Sequence, residues 1–146
     1  MPRCSKRSTI FEVSGPLLVI DASVLFEVVA DTPESESIRQ RIAIDPDHVA
    51  PHLIDAEVLS VIQTHYRRGA LDTTGADQAV DDLRRWPGER WSHRPLLTRA
   101  WQLRANLRGY DALYVALAEA LGATLLTLDQ RLAAAPMLRC EVEVPR

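Results

Sequence analysis

The sequence has few cysteines and no long apolar run. Its 146 residues include two cysteines, Cys4 and Cys140, which are too few for a disulfide framework or, alone, for a zinc site. The longest apolar stretch, 17–26, is interrupted by Asp21 and is far shorter than the ~20 residues that a membrane helix needs. These shortages exclude a disulfide-stapled domain and a membrane protein, and they favour two free thiols in the cytoplasm.

Glycine is also scarce, and neither charge sign dominates. Six glycines and nine prolines without a period exclude a collagen-like chain, and 47% hydrophobic residues exclude wholesale disorder. A net charge of -3 argues against a protein that coats DNA. We therefore expect one domain with a hydrophobic core.

The amino-terminal segment differs from the rest. Met1–Pro16 carries Arg3, Lys6 and Arg7, and it lacks the apolar centre of a signal peptide. We expect residues 1–16 to be a flexible basic lead-in and residues 17–146 to form the folded domain.

Apolar runs and helical periodicity alternate along the folded part. The runs 17–21 and 124–129 each end in an acid and are typical of strands in a parallel sheet; two further strands are predicted over 48–51 and 140–144. Ser23 and either Thr73 or Thr74 are expected to cap helices. Helices are predicted over 22–29, 32–44, 54–68, 73–86, 95–107, 111–121 and 130–134. This alternation indicates an α/β sandwich with a mostly parallel sheet.

Four acids fall at comparable places in this pattern. Asp21 and Asp129 end apolar strands, whereas Glu57 and Asp111 lie near the starts of helices. Each alone is explained by turn formation or helix capping. Because ligands of open parallel sheets bind beyond the carboxyl ends of the strands, we expect the four to share one crevice.

Clustered carboxylates repel one another unless a cation lies among them. Hard oxygen ligands select Mg²⁺ or Mn²⁺, and metals held in this way serve phosphodiester chemistry. The residues therefore point to a metal-dependent phosphodiesterase or phosphatase.

Four segments around these acids resemble the motifs of the PIN domain nucleases, and the likeness is closest to the VapC toxins of bacterial type II toxin–antitoxin pairs. It extends from Leu17 to about Val144, and the matching segments are 19–23, 51–59, 106–118 and 126–132. The resemblance implies a PIN-like three-layer sandwich and an Mg²⁺- or Mn²⁺-dependent endoribonuclease that cuts single-stranded or loop RNA and inhibits translation or growth. Its metal-binding and catalytic residues would be Asp21, Glu57, Asp111 and Asp129.

The resemblance also implies supporting residues and partners. Ser23 and Thr127 would be hydroxyls that orient carboxylates or water, and Asn106 would act on the substrate side. Asp55 is read as a helix cap. A VapB-type antitoxin would cover the helices 32–44 and 54–68, and homodimerisation would use the helices around Asp111.

Charge is segregated along the chain. Residues 21–83 contain 13 acids and 4 arginines, whereas residues 84–108 contain 7 arginines and one acid. Tryptophans lie among these arginines, an arrangement that suits single-stranded RNA as well as an ordinary solvated helix face. Arg94, Arg104 and Arg108 are the predicted RNA contacts, and Trp101 is assigned to the core.

Three other functions fit the residues less well. A haloacid-dehalogenase-like phosphatase needs a second Asp where Ser23 stands, together with a lysine, and the only lysine is Lys6. A receiver-like signalling domain needs paired acids after its first strand and a late lysine. A PIN-like RNA-binding module without turnover should have lost acids, and all four are present.

Overall fold

A computed structural model describes residues 16–146, which form a five-stranded sheet with helices packed around it. Every strand pair is parallel, in the order β3-β2-β1-β4-β5, which confirms the predicted α/β class. The strands are β1 (Leu17–Ile20), β2 (Asp47–Pro51), β3 (Glu89–Trp91), β4 (Thr124–Leu126) and β5 (Val142–Glu143).

The central strand β1 pairs with β2 on one side and with β4 on the other. Val19 lies opposite Val49 of β2 and Leu125 of β4, and all three side chains are buried. A strand that is buried on both faces does not need alternating apolar and polar residues, so the sequence of β1 is a continuous apolar run. The carboxyl ends of β1, β2 and β4 therefore lie side by side.

Seven helices connect and cover the strands in residues 16–146. They are α1 (Ala22–Val29), α2 (Ser35–Ile44), α3 (Leu53–Arg67), α4 (Thr73–Arg85), α5 (Leu97–Gln102), α6 (Gly109–Leu121) and α7 (Gln130–Ala133). Helix α1 packs against α2, α3 and α4, whereas α6 packs across β1, β2 and β4 and carries α5 on its side. Gly122 ends α6 in the left-handed conformation, with a φ of 61°.

Two predicted helix caps are wrong. Asp21, not Ser23, is the N-cap of α1, and its side chain makes no capping bond. The N-cap of α4 is Asp72, whose Oδ1 accepts a 2.7 Å hydrogen bond from the Gly75 N–H, so neither threonine after it is needed.

The segment between α4 and α6 departs most from the prediction. Glu89–Trp91 forms β3 at the edge of the sheet, and the sequence has no apolar run there that would predict a strand. The predicted helix 95–107 is shorter: a 3-10 turn at Arg94–Leu96 leads into α5, which ends at Gln102. Trp101 is not a core residue, because 68% of its surface is exposed.

Residues 1–15, which include Cys4 and nearly all of the predicted lead-in, lie outside the described part. Cys140 is half-buried, and burial raises the pKa of its thiol to about 11, so the thiol stays protonated. In residues 16–146 no helix has both the length and the apolarity to cross a membrane.

Candidate active site

Asp21 lies directly after β1 and is almost completely buried, with 6% of its surface exposed. Its Oδ2 atom accepts two hydrogen bonds, from Ser23 Oγ at 2.6 Å and from Thr127 Oγ1 at 2.7 Å. Both donors thus converge on one carboxylate oxygen. Ser23 and Thr127 therefore lie where the sequence predicted orienting hydroxyls, and they fix Asp21 in one position.

The same hydroxyls hold the loop that follows β4. The backbone N–H of Leu128 donates to Ser23 Oγ at 3.0 Å, and the N–H of Asp129 donates to Thr127 Oγ1 at 3.1 Å. Asp129 is exposed and caps α7, with Oδ1 accepting from the Arg131 N–H at 2.9 Å. The loop with Asp129 is thereby tied to the buried Asp21.

Glu57 lies in the second turn of α3, which begins two residues after β2 ends. Its Oε1 atom is buried and has no hydrogen-bond partner in the described chain. Burial, followed by the charges of Asp21 and Asp111, raises the pKa of Glu57 to about 7. This carboxylate therefore has a free oxygen and lies within the electrostatic reach of two other acids.

Asp111 lies in the first turn of α6. Burial, then the charges of Asp21 and Asp129, raise the pKa of its carboxyl group, and Arg108 opposes this effect. A cavity of about 490 Å³ opens at this point, and its lining residues include Glu57, Asn106, Arg108, Asp111 and Asp129. The structure thus brings three of the predicted acids and Asn106 to one cavity, and Asp21 adjoins it.

The donor set suits a divalent cation with oxygen ligands. The described residues contain no group of three or more acid, imidazole or thiol side chains that are placed to hold a metal ion together. Mg²⁺ does not require one, since it keeps several waters and uses one or two carboxylates. A cation would satisfy the unpartnered Glu57 Oε1 and remove the repulsion that raises the pKa values of Glu57 and Asp111.

The arginine-rich segment 84–108 separates into two groups. Four of its arginines pair with acids: Arg84 and Arg85 with Asp81, Arg90 with Asp55, and Arg99 with Glu119. Asp55 is therefore an ion-pair partner and not the helix cap that the sequence predicted.

The second group contains the three predicted RNA contacts. Arg94, Arg104 and Arg108 are exposed and form no ion pair with any carboxylate in residues 16–146. Arg108 lines the cavity, and the guanidinium of Arg104 lies 4.6 Å from the centre of the Trp101 ring. These cations remain available for a ligand.

Sequence reasoning missed three residues of this region. Tyr110 and Arg131 line the cavity, and Tyr114 is buried beside Glu57. Each lies within three positions of a predicted acid, Asp111 or Asp129. Spacing along the helix was therefore a usable signal for Tyr114, which follows Asp111 by three residues.

Comparisons with known proteins agree with this fold. The PIN domain family model matches residues 18–137. Ribonuclease VapC1 of Mycobacterium tuberculosis is 40% identical over 129 residues, which span 88% of this chain and 97% of that protein.

Solved structures share the fold at lower sequence identity. PAE2754 from Pyrobaculum aerophilum superposes with a TM-score of 0.65 at 20% identity, covering 96% of this chain and 92% of that one. A chain of VapBC2 from Rickettsia felis, bound to a promoter DNA fragment, gives a TM-score of 0.63 at 14% identity, covering 89% and 99%. The family match over most of the chain and the identity to a full-length relative show that this chain belongs to the PIN domain family, among the VapC ribonucleases.

Proposed function

We propose that this protein is a divalent-metal-dependent endoribonuclease, the toxin of a toxin–antitoxin pair. The observation that carries the proposal is the cavity lined by Glu57, Asp111 and Asp129, with Arg108 beside them and the buried Asp21 within electrostatic reach of Glu57 and Asp111. The related VapC1 is named a ribonuclease, which supports RNA as the substrate.

In this proposal Asp21 and Asp111 hold Mg²⁺ or Mn²⁺, and Glu57 and Asp129 complete the site directly or through water. Such an ion lowers the pKa of a bound water and neutralises charge that develops on the phosphate. Ser23 and Thr127 keep Asp21 Oδ2 occupied, which leaves Oδ1 as the oxygen for a ligand. Hydroxide attack at phosphorus with departure of the 3′-oxygen would yield 5′-phosphate and 3′-hydroxyl ends.

On the substrate side, Arg108 and Asn106 at the cavity would contact the RNA near the cut, and Arg94 and Arg104 would contact it farther along. Arginine on a phosphodiester backbone gives affinity without sequence choice. Splayed single-stranded or loop RNA suits this surface, because the exposed ring of Tyr110 at the cavity can stack on an unpaired base.

The proposed partners are a VapB-type antitoxin and a second copy of the chain. The VapBC2 structure supports a protein partner by the shared fold. Helices α2 and α3 are the proposed antitoxin surface, and α5 and α6 are the proposed dimer surface. Leu97 and Trp101 on α5 are exposed apolar side chains one helical turn apart, as a dimer surface would require.

The test is cleavage of structured RNA by the purified protein with Mg²⁺, with Mn²⁺ and with EDTA. Asp21→Asn and Asp111→Asn should lose activity by at least about 100-fold and keep the circular dichroism spectrum. Asp77→Asn, an exposed acid on α4, is the matched control and should keep full activity. Full cleavage by a folded Asp111→Asn variant, or cleavage in EDTA, would contradict the assignment. Phosphate release from small phosphomonoesters would favour a phosphatase.

A further inference from the structure

Two polar atoms beside the candidate site are buried without partners. In residues 16–146 the Tyr114 hydroxyl and Glu57 Oε1 belong to a group of three buried side-chain atoms that make no hydrogen bond; the third is Trp91 Nε1. Burying a hydroxyl without a partner costs free energy, and such groups are rare in native proteins. A phenylalanine would fill the same space without that cost, so the hydroxyl calls for an explanation.

The position of Tyr114 explains why a hydroxyl is buried there. It lies three residues after Asp111, on the same side of α6, and none of its surface is exposed. Its hydroxyl adjoins Glu57 and the backbone of Ala22, the residue after Asp21, and it makes no hydrogen bond to either. A single hydroxyl thus lies where three acid-bearing segments meet.

The hydroxyl keeps its proton at this place. A tyrosine hydroxyl carries its proton at neutral pH and can donate it. The Ala22 N–H can donate to the phenolic oxygen, which leaves the phenolic proton free to point at Glu57. Hydrogen bonds to an ionised carboxylate are roughly twice as strong as neutral ones. The hydrogen bond, which is absent in the metal-free chain, is therefore expected to form once a bound cation holds Glu57 as a carboxylate.

We propose that Tyr114 is a positioning residue whose hydroxyl donates to one oxygen of Glu57 and turns the other oxygen toward the divalent cation. This inference rests on the proposed metal-dependent function, since it assigns a role to Glu57 in that site. It differs from the part played by Ser23 and Thr127, which donate to Asp21 and not to Glu57.

The experiment measures Mn²⁺ affinity by titration calorimetry, with RNA cleavage followed separately. Tyr114→Phe keeps the ring and removes only the hydroxyl, and it should weaken Mn²⁺ binding by roughly 10–100-fold, the usual effect of removing a partner of a metal ligand. The metal-free variant should be at least as heat-stable as the parent, since a buried unpartnered hydroxyl is gone. Tyr66→Phe, a half-exposed tyrosine on α3, is the matched control and should bind as the parent does.

A double-mutant cycle with Glu57→Gln separates positioning from a general effect on the fold. In the Glu57→Gln background, Tyr114→Phe should cause no further loss of Mn²⁺ affinity. An equal loss in both backgrounds, or parental affinity in Tyr114→Phe alone, would overturn the inference. If the parent binds Mn²⁺ and cuts RNA while Tyr114→Phe binds equally well, the positioning role fails and the proposed function stands. A parent protein that does not bind Mn²⁺ would overturn both.

Discussion

Arg90 forms a two-point ion pair with Asp55, with Nη2–Oδ1 at 2.9 Å and Nε–Oδ2 at 3.2 Å. The same guanidinium donates to the carbonyl oxygens of Leu83, Trp86 and Gly88, and it lies 4.8 Å from the centre of the Trp86 ring. One arginine therefore joins the end of α4, the edge strand β3 and the first turn of α3. Its N–H groups already bond to oxygens of the protein, so Arg90 is not available to RNA.

Arg90→Ala is accordingly expected to destabilise the protein by about 2–3 kcal/mol, because three carbonyl groups and one carboxylate lose a charged donor. Urea unfolding at neutral pH measures the change. Arg84→Ala is the matched control: its pair with Asp81 is exposed to solvent, so its loss should leave the urea midpoint almost unchanged. Equal stabilities of the two variants would refute this view of Arg90.

Thr127→Val tests the support of Asp21. Valine has the shape of threonine but no hydroxyl, so Asp21 Oδ2 keeps only Ser23 as a donor and the Asp129 N–H loses its acceptor. Metal affinity and RNA cleavage should each fall by roughly 10-fold or more. Thr64→Val on α3, where the hydroxyl bonds the Ser60 carbonyl within the helix, should leave both unchanged. Parental metal affinity in Thr127→Val would count against the network.

Cation binding is expected to depend on pH through Glu57. With its pKa raised to about 7 in the metal-free protein, this group is largely protonated at pH 6, so an incoming cation must displace a proton. Mn²⁺ affinity should therefore rise between pH 6 and 8 and then level off. Calorimetry in two buffers of different ionisation enthalpy detects the released proton. Glu57→Gln should remove this release, and an unchanged release in that variant would place the proton elsewhere.

The free energy of unfolding of the metal-free protein should also depend on Glu57, and this contribution should fall as the pH rises. Because the folded-state pKa of Glu57 lies above the usual glutamate value of 4.5, folding takes up a proton between about pH 4.5 and 7. The contribution of Glu57 is fully present below pH 4.5 and is lost as the pH rises through 7. Urea midpoints at pH 5 and pH 8 should differ less in Glu57→Gln than in the parent.

The three predicted RNA contacts, Arg94, Arg104 and Arg108, are expected to control the salt dependence of RNA binding. Removing one phosphate contact from a single strand lowers the slope of log K against log salt by about 0.7. Arg108→Ala and Arg104→Ala, made in the Asp111→Asn background to prevent cleavage, should each show this change in anisotropy titrations. Arg85→Ala, which loses a pair with Asp81, should not. An unchanged slope in all variants would indicate that RNA binds another face of the protein.

The sequence by itself determined the features that depend on local pattern. Buried parallel strands need continuous apolar residues, so β1 and β4 were visible, and helical periodicity located α1, α3, α4 and α6. The acids at the strand ends and helix starts marked the edge of the sheet where a site would lie. That the four form a metal site stays a prediction, which the variants above test.

Only the tertiary structure decided which side chains meet. The strand β3 has the sequence Glu-Arg-Trp, which contains no apolar run. It forms because it pairs with β2 at the edge of the sheet, and that pairing cannot be read from its own residues. Ser23 looked like a cap, yet it bonds Asp21 and reaches Thr127, 104 residues away, at 3.5 Å. Trp101 lies on the surface, and Tyr114 meets Glu57 across two helices. Partner choice between distant segments depends on how the layers are stacked, and no local periodicity encodes it.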